Sequence, residues 1–189
     1  MRLCLYAFSH DNFLLVFVMK KGLIKNIFPD YKFISIADVN INLFLKSELI
    51  IFDVDNTLVF SETTETKKEV IDWFLKIKKQ YKCVCVSNSM TIAERKEKIE
   101  NSLQCDIFLS QRKKPSKRLF GEVLNKYNIK SGKIFVVGDK IFPDILFGNR
   151  NRAITILVHP LISEKDILAK IEREIEHFIL WISDFLGYN

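Results

Sequence analysis

The stretch Leu49-Ile50-Ile51-Phe52-Asp53-Val54-Asp55-Asn56-Thr57-Leu58 decides the fold. Four apolar residues in unbroken succession read as a strand buried on both faces, which is the habit of parallel sheets. The polar cluster 53–57 then ends the strand abruptly.

The same unit recurs downstream. Val70, Ile71, Phe74, Leu75 and Ile77 fall at helical spacing. Cys83-Val84-Cys85-Val86 is a second buried strand, ended by Ser87-Asn88-Ser89. Thr91 with Glu94 reads as a capping box opening a helix. Ile107-Phe108-Leu109 forms a third strand, and Ser116 caps a helix carrying Leu119, Phe120, Val123, Leu124 and Tyr127. Ile134-Phe135-Val136-Val137 is a fourth strand, ended by Gly138-Asp139. A short helix over about 142–149 and a fifth strand over 153–158 follow. Ser163 opens a long amphipathic helix with Ile167, Ile171, Ile175, Phe178, Ile179, Ile182 and Phe185 on one face. Buried strands alternating with helices predict an α/β domain, three-layered and Rossmann-like, with a parallel sheet covered on both faces.

The 189 residues suit one domain, and 48% hydrophobic with 28% charged residues is an ordinary globular balance. The expected division is an N-terminal extension over 1–18, a domain over 19–160 and a C-terminal helical segment over 161–189 that packs on the domain or mediates dimerisation. Met19 before Lys20-Lys21 reads as a second start. Residues 13–18 are apolar but too short to span a bilayer or to make a signal peptide. The net charge of +6 favours anionic partners. It is spread along the chain with no Arg-rich arm, so no specific nucleic-acid binding is expected. Leu23, Ile24, Ile27 and Phe28 with Lys20, Lys21 and Lys25 interleaved suit either a helix packed on the sheet or contact with an anionic membrane surface. The four cysteines, Cys4, Cys83, Cys85 and Cys105, form no CxxC pair, so a reduced, cytoplasmic protein is expected.

Open parallel sheets bind ligands beyond the carboxyl ends of their strands. The polar residues of this chain collect there: Asp53 and Asp55 after strand one, Ser87 and Asn88 after strand two, Lys114 after strand three, Asp139 and Asp144 after strand four. Converging carboxylates require a cation among them, and oxygen donors select a hard ion such as Mg²⁺. An aspartate can act as nucleophile through an aspartyl-phosphate. A second carboxylate two residues on can serve as general acid and base. A lysine and a hydroxyl can hold phosphoryl oxygens. Taken singly each group has an ordinary explanation, as turn chemistry or a surface charge; their order along successive strand ends is what points to phosphoryl transfer.

The run Asp53-Val54-Asp55-Asn56-Thr57-Leu58-Val59, then Ser87-Asn88, Lys114-Pro115 and Gly138-Asp139-Lys140-Ile141-Phe142-Pro143-Asp144 resembles the haloacid dehalogenase (HAD) superfamily. Gly148-Asn149-Arg150 and the upstream Phe28-Pro29-Asp30 are similar to the YqeG-type subfamily IIIA, which also resembles mitochondrial phosphatidylglycerophosphatases. The resemblance covers roughly residues 19–160. It implies Asp53 as nucleophile and Asp55 as general acid and base. It also implies a Mg²⁺ site from Asp53, the Asp55 backbone carbonyl and Asp139, with Asp144 supporting the metal's waters or orienting Lys114. Thr57, Ser87, Asn88 and Lys114 would bind the phosphoryl group. Ser89 and Lys140 stand where such relatives tend to have Asn and Gln.

Only 31 residues separate Asp55 from Ser87 and 25 separate Asn88 from Lys114, so no large cap domain fits. An open site admits a bulky ester. The leading expectation is a phosphatidylglycerophosphate phosphatase at the inner face of a membrane. Its rivals are a soluble phosphatase for nucleotides, sugar phosphates or phosphoproteins, and a non-enzymatic phosphate-binding scaffold.

Overall fold

The computed structural model describes residues 26–161. The expected extension over 1–18 and the helix expected from Ser163 lie outside the described residues. Five strands form one sheet: β1 (Tyr31–Phe33), β2 (Ser47–Phe52), β3 (Cys83–Cys85), β4 (Lys133–Gly138) and β5 (Ile154–Val158). Every pairing is parallel, in the order β1-β5-β4-β2-β3. Four α-helices among the described residues connect them: α1 (Lys68–Gln80), α2 (Ile92–Leu103), α3 (Lys117–Lys126) and the short α4 (Leu146–Arg150), the last directly preceded by the helical turn Ile141–Ile145 that carries Asp144.

The period-2 geometry of a strand splits each apolar run between two layers. Ile50, Phe52, Cys85, Phe135, Val137 and Ile156 pack on one side with Val70, Trp73, Phe74 and Ile77 of α1 and Ile99 and Leu103 of α2. Leu49, Ile51, Val84, Val86 and Val136 pack on the other with Leu119, Phe120 and Val123 of α3 and with Phe147 of α4. Phe52 meets Phe74 edge-on at 5.1 Å between centroids, and Phe120 meets Phe147 at 5.3 Å. Truncating a buried phenylalanine such as Phe74 to alanine costs about 3–5 kcal/mol. The result is the expected three-layer α/β core. The segments 56–86 and 89–113 hold α1 and α2 and no cap domain. No helix among the described residues is long and apolar enough to cross a membrane.

Three local expectations are corrected. The third strand shrinks to a single bridge between Ile107 and Cys85, because the polar segment beyond Leu109 leaves the sheet edge. Thr91 stands at the start of α2 but makes no capping hydrogen bond; its hydroxyl faces Ser89 Oγ at 3.1 Å instead. β1, absent from the sequence reading, is a three-residue edge strand paired only to β5, and its exposed Tyr31 and Lys32 give it no apolar signature. Ser116 does cap α3, accepting from the Leu119 N–H at 3.4 Å.

The upstream segment is tied to the far end of the chain. The Asp30 carboxylate accepts from both the Thr155 N–H at 2.8 Å and the Thr155 hydroxyl at 3.0 Å. Asn149 donates its side-chain amide to the carbonyls of Asn26 and Phe28 at 2.9 and 2.8 Å. Gly148 is required beside this latch, since a Cβ there would stand 2.4 Å from Thr155 Cγ2.

Candidate active site

The sheet order fixes where a ligand can enter. From β2 the chain moves outward to β3, then returns to β4 on the opposite flank of β2. The crevice at the ends of β2 and β4 is therefore the topological switch point, where open α/β sheets bind ligands. Asp53 follows β2 there, and Asp139 follows β4. The Asp53 N–H donates to the Val137 carbonyl at 2.8 Å, so the sheet ladder carries through to the nucleophile candidate.

Beyond Asp53 the backbone turns sharply. The N–H groups of Thr57, Leu58 and Val59 all converge on the Val54 carbonyl at 2.9–3.2 Å. Asn56 adopts φ +62 at the apex, a left-handed conformation that asparagine tolerates better than most residues. The turn returns the buried Thr57 hydroxyl to within 3.4 Å of Asp53 Oδ2.

Lys114 is the cation of the site, and it is 5% exposed. Its Nζ donates to Asp53 Oδ1 at 2.5 Å and to Asp144 Oδ1 at 2.7 Å. Asn88 holds its backbone: the Lys114 N–H donates to Asn88 Oδ1 at 2.8 Å, and Asn88 Nδ2 donates to the Lys114 carbonyl at 2.9 Å. Both ends of the Asn88 amide are thus engaged in fixing the lysine, a contact that could not be read from sequence. Asp144 is fully buried, and its Oδ2 accepts from the Lys140 N–H at 3.1 Å. It lies so close to Gly138 that a Cβ there would come within 2.3 Å of Asp144 Cγ.

Carboxylate oxygens of Asp53, Asp139 and Asp144 lie within 4.8 Å of one another. Two of these carboxylates, Asp53 and Asp144, are bonded to the Lys114 ammonium, with half-buried Asp139 grouped beside them, and the electrostatics reflect it. Burial, aided by the Asp144 charge and opposed by Lys114, pushes the Asp53 carboxyl up to about 6. Burial likewise raises Asp144, with Asp139 adding to the rise. Burial disfavours the Lys114 ammonium, but Asp144 and Asp53 outweigh it and lift its pKa above the ordinary lysine value. An all-oxygen, excess-anionic donor set of this kind fits a hard divalent cation such as Mg²⁺.

Asp55 is separate from this group. Its Oδ1 accepts from the Glu62 N–H at 2.9 Å and its Oδ2 from the Ser87 hydroxyl at 3.1 Å. Arg95 of α2 pairs with it at 3.0 Å. The Ser87 hydroxyl also accepts from the Ser89 N–H at 2.9 Å. The structure therefore gathers Asp53, Thr57, Lys114, Asp139 and Asp144 into one crevice, with Asn88 bracing the lysine and Ser87 bonded to Asp55. Arg95 has no motif to announce it. Its signal was positional: it is a charged residue on the stripe defined by Ile92, Ile99 and Leu103.

A family model described as mitochondrial PGP phosphatase matches residues 13–163. The chain is also similar to the probable phosphatase YqeG of Bacillus subtilis (strain 168). The two are 33% identical over 132 residues, spanning 69% of this chain and 75% of that protein. No solved structure matches the chain.

Proposed function

The chain belongs to the mitochondrial PGP phosphatase family and is a YqeG-type phosphatase of the HAD class; on that premise we propose that it hydrolyses phosphate monoesters through an aspartyl-phosphate on Asp53, with Mg²⁺, and that its substrate is phosphatidylglycerophosphate or a closely related anionic lipid ester. The observation that carries the chemistry is the Asp53 carboxylate at the switch-point strand end, bonded to the buried Lys114 and grouped with Asp139 and Asp144.

In this mechanism an Asp53 oxygen attacks phosphorus, and the bond from phosphorus to the ester oxygen breaks. Asp55 gives its proton to the departing oxygen. In the second half, Asp55 takes a proton from a water molecule whose oxygen attacks phosphorus, and the bond to Asp53 breaks. Lys114 and Ser87 hold the phosphoryl oxygens, and Thr57 steadies Asp53. Asp53, Asp139 and the Asp55 backbone carbonyl would hold Mg²⁺, which supplies charge neutralisation when bound. Asp144 acts on Lys114, to which it is already bonded.

The lipid reading draws on the lack of a cap domain in segments 56–86 and 89–113, the net charge of +6 and the description of the matching family. It includes action at an anionic membrane surface. The test is phosphate release from phosphatidylglycerophosphate in anionic vesicles with Mg²⁺. Release from the lipid, abolished by Asp53→Asn, is the expected result. Release from soluble esters with none from the lipid would move the substrate to nucleotides, sugar phosphates or phosphoproteins. No release from any ester would leave a phosphate-binding scaffold.

A further inference from the structure

Arg95 is buried to 9% exposure in the first turn of α2. The position lies on the helix's apolar stripe, where a methionine or leucine would pack without desolvating a charge. Buried ion pairs are weak contributors to stability, and apolar replacements are often neutral or better. A guanidinium kept in such a place needs another explanation, and its contacts supply one.

The guanidinium joins three segments. One terminal nitrogen donates to the Thr63 carbonyl at 2.6 Å. The other reaches Ser89 Oγ at 3.1 Å and the Asp55 carboxylate at 3.0 Å. Thr63 lies in the loop that follows the Asp53–Asp55 turn. The same loop delivers the Glu62 N–H to Asp55 at 2.9 Å. That loop folds on itself through Thr63 N–H to Phe60 carbonyl and Phe60 N–H to Glu65 carbonyl, at 3.1 and 2.9 Å. By gripping Thr63, Arg95 therefore fixes a second donor to Asp55 besides itself. Asp55 receives hydrogen bonds from the loop, from the end of β3 and from α2, and Arg95 touches or controls two of the three.

We propose that Arg95 is a positioning residue for proton transfer: it clamps the loop at Thr63 and the Asp55 carboxylate into one unit, and so sets where Asp55 meets the leaving-group oxygen. The inference rests on the reading of Asp55 as general acid given above. Its consequence depends on the ester. An alkoxide cannot leave without a proton, whereas a nitrophenolate leaves readily without one, so misplacing the acid penalises alkyl esters selectively.

The test compares steady-state and burst kinetics on glycerol 3-phosphate and para-nitrophenyl phosphate, with Mg²⁺, for wild type, Arg95→Met, Arg95→Lys and Asp55→Asn. General acid assistance is worth about 10²–10⁴-fold. We expect Arg95→Met to lower the ratio of alkyl-ester to aryl-ester kcat by at least about tenfold, in the direction set by Asp55→Asn. Arg95→Lys restores part of the ratio. If Arg95→Met does not fold, the same ratio is read from Arg95→Lys against wild type, with the same required direction. Equal losses on both esters, or an unchanged ratio, overturn the inference while leaving the phosphatase reading intact. A wild type that releases phosphate from no ester, phosphatidylglycerophosphate included, or an Asp55→Asn variant with an unchanged ratio, overturns the general-acid reading and the inference with it. If only the lipid is turned over, Arg95→Met must lower release from it in the direction of Asp55→Asn, and an unchanged rate overturns the inference.

Discussion

Asp53 and Asp106 each hold a lysine ammonium at hydrogen-bonding distance, yet their surroundings push them in opposite directions. Asp53 lies in a crevice with Asp139 and Asp144, its side chain 10% exposed, and burial drives its pKa up to about 6. Asp106 lies at the surface just before the Ile107 bridge with its side chain 41% exposed, meeting Lys126 at 2.7 Å, Lys96 at 3.5 Å and the Tyr127 hydroxyl. Burial opposes its ionisation too, but the donors from Lys126 and Tyr127 win and hold it below the ordinary aspartate value. The lesson is that an ion pair does not by itself reveal a role. The balance of anions and cations around it, and the water it has lost, separate a site from a brace.

Substitutions can break this contrast. The largest effect is expected for Asp53→Asn. Activity on an aryl phosphate falls on the order of 10³-fold or more. Without divalent cations its melting temperature is no lower than that of wild type, because one of three crowded carboxylates has lost its charge. Lys114→Met removes the ammonium that Asp53 and Asp144 share. A buried pair broken on one side costs about 3–5 kcal/mol, read by urea titration, and the loss of a phosphoryl-binding charge lowers kcat on the order of 10²-fold. Gly138→Ala forces Asp144 away and disturbs Lys114 through it; kcat falls about tenfold with a smaller loss of stability, of about 1–3 kcal/mol.

The smallest effect sharpens the other side of the comparison. Asp106→Asn leaves phosphatase kinetics within error and costs at most about 1 kcal/mol, as expected for a half-exposed pair. Because the folded-state pKa of Asp106 lies below its unfolded value, its contribution is present above about pH 4 and lost as pH falls through the folded value. The stability gap between wild type and Asp106→Asn therefore closes on acidification from pH 7 to pH 2. A gap that widened would mean that the cluster around Asp106 is repulsive.

Much of this arrangement is legible in the sequence alone. The runs at Leu49, Cys83, Ile134 and Ile154 are apolar on both faces because helices cover both sides, and such strands carry a strong signal. β1 carried none, since an edge strand with Tyr31 and Lys32 facing solvent looks like a loop. The Ile107 segment misled in the other direction, being apolar but bonded to the sheet at one point only. In the site, residues at strand ends could be read from order along the chain. Asn88 as the brace of Lys114 and Arg95 as the partner of Asp55 could not, because each contact joins segments 26 and 40 residues apart through side-chain geometry. An arginine on an apolar stripe was the one available clue.

The central pairing of the sheet also sets a schedule for biosynthesis. β2 lies directly against β4, with Ile50 opposite Phe135 and Phe52 opposite Val137. A ribosome that has made β2, α1, β3 and α2 has still not supplied the strand that completes one side of the nucleophile's crevice. Asp53 is among the earlier polar residues of the site to leave the exit tunnel, yet Asp139 and Asp144 emerge some ninety residues later. A nascent chain arrested before residue 139 therefore carries the attacking carboxylate on an unfinished sheet edge, without the acidic partners that would surround it.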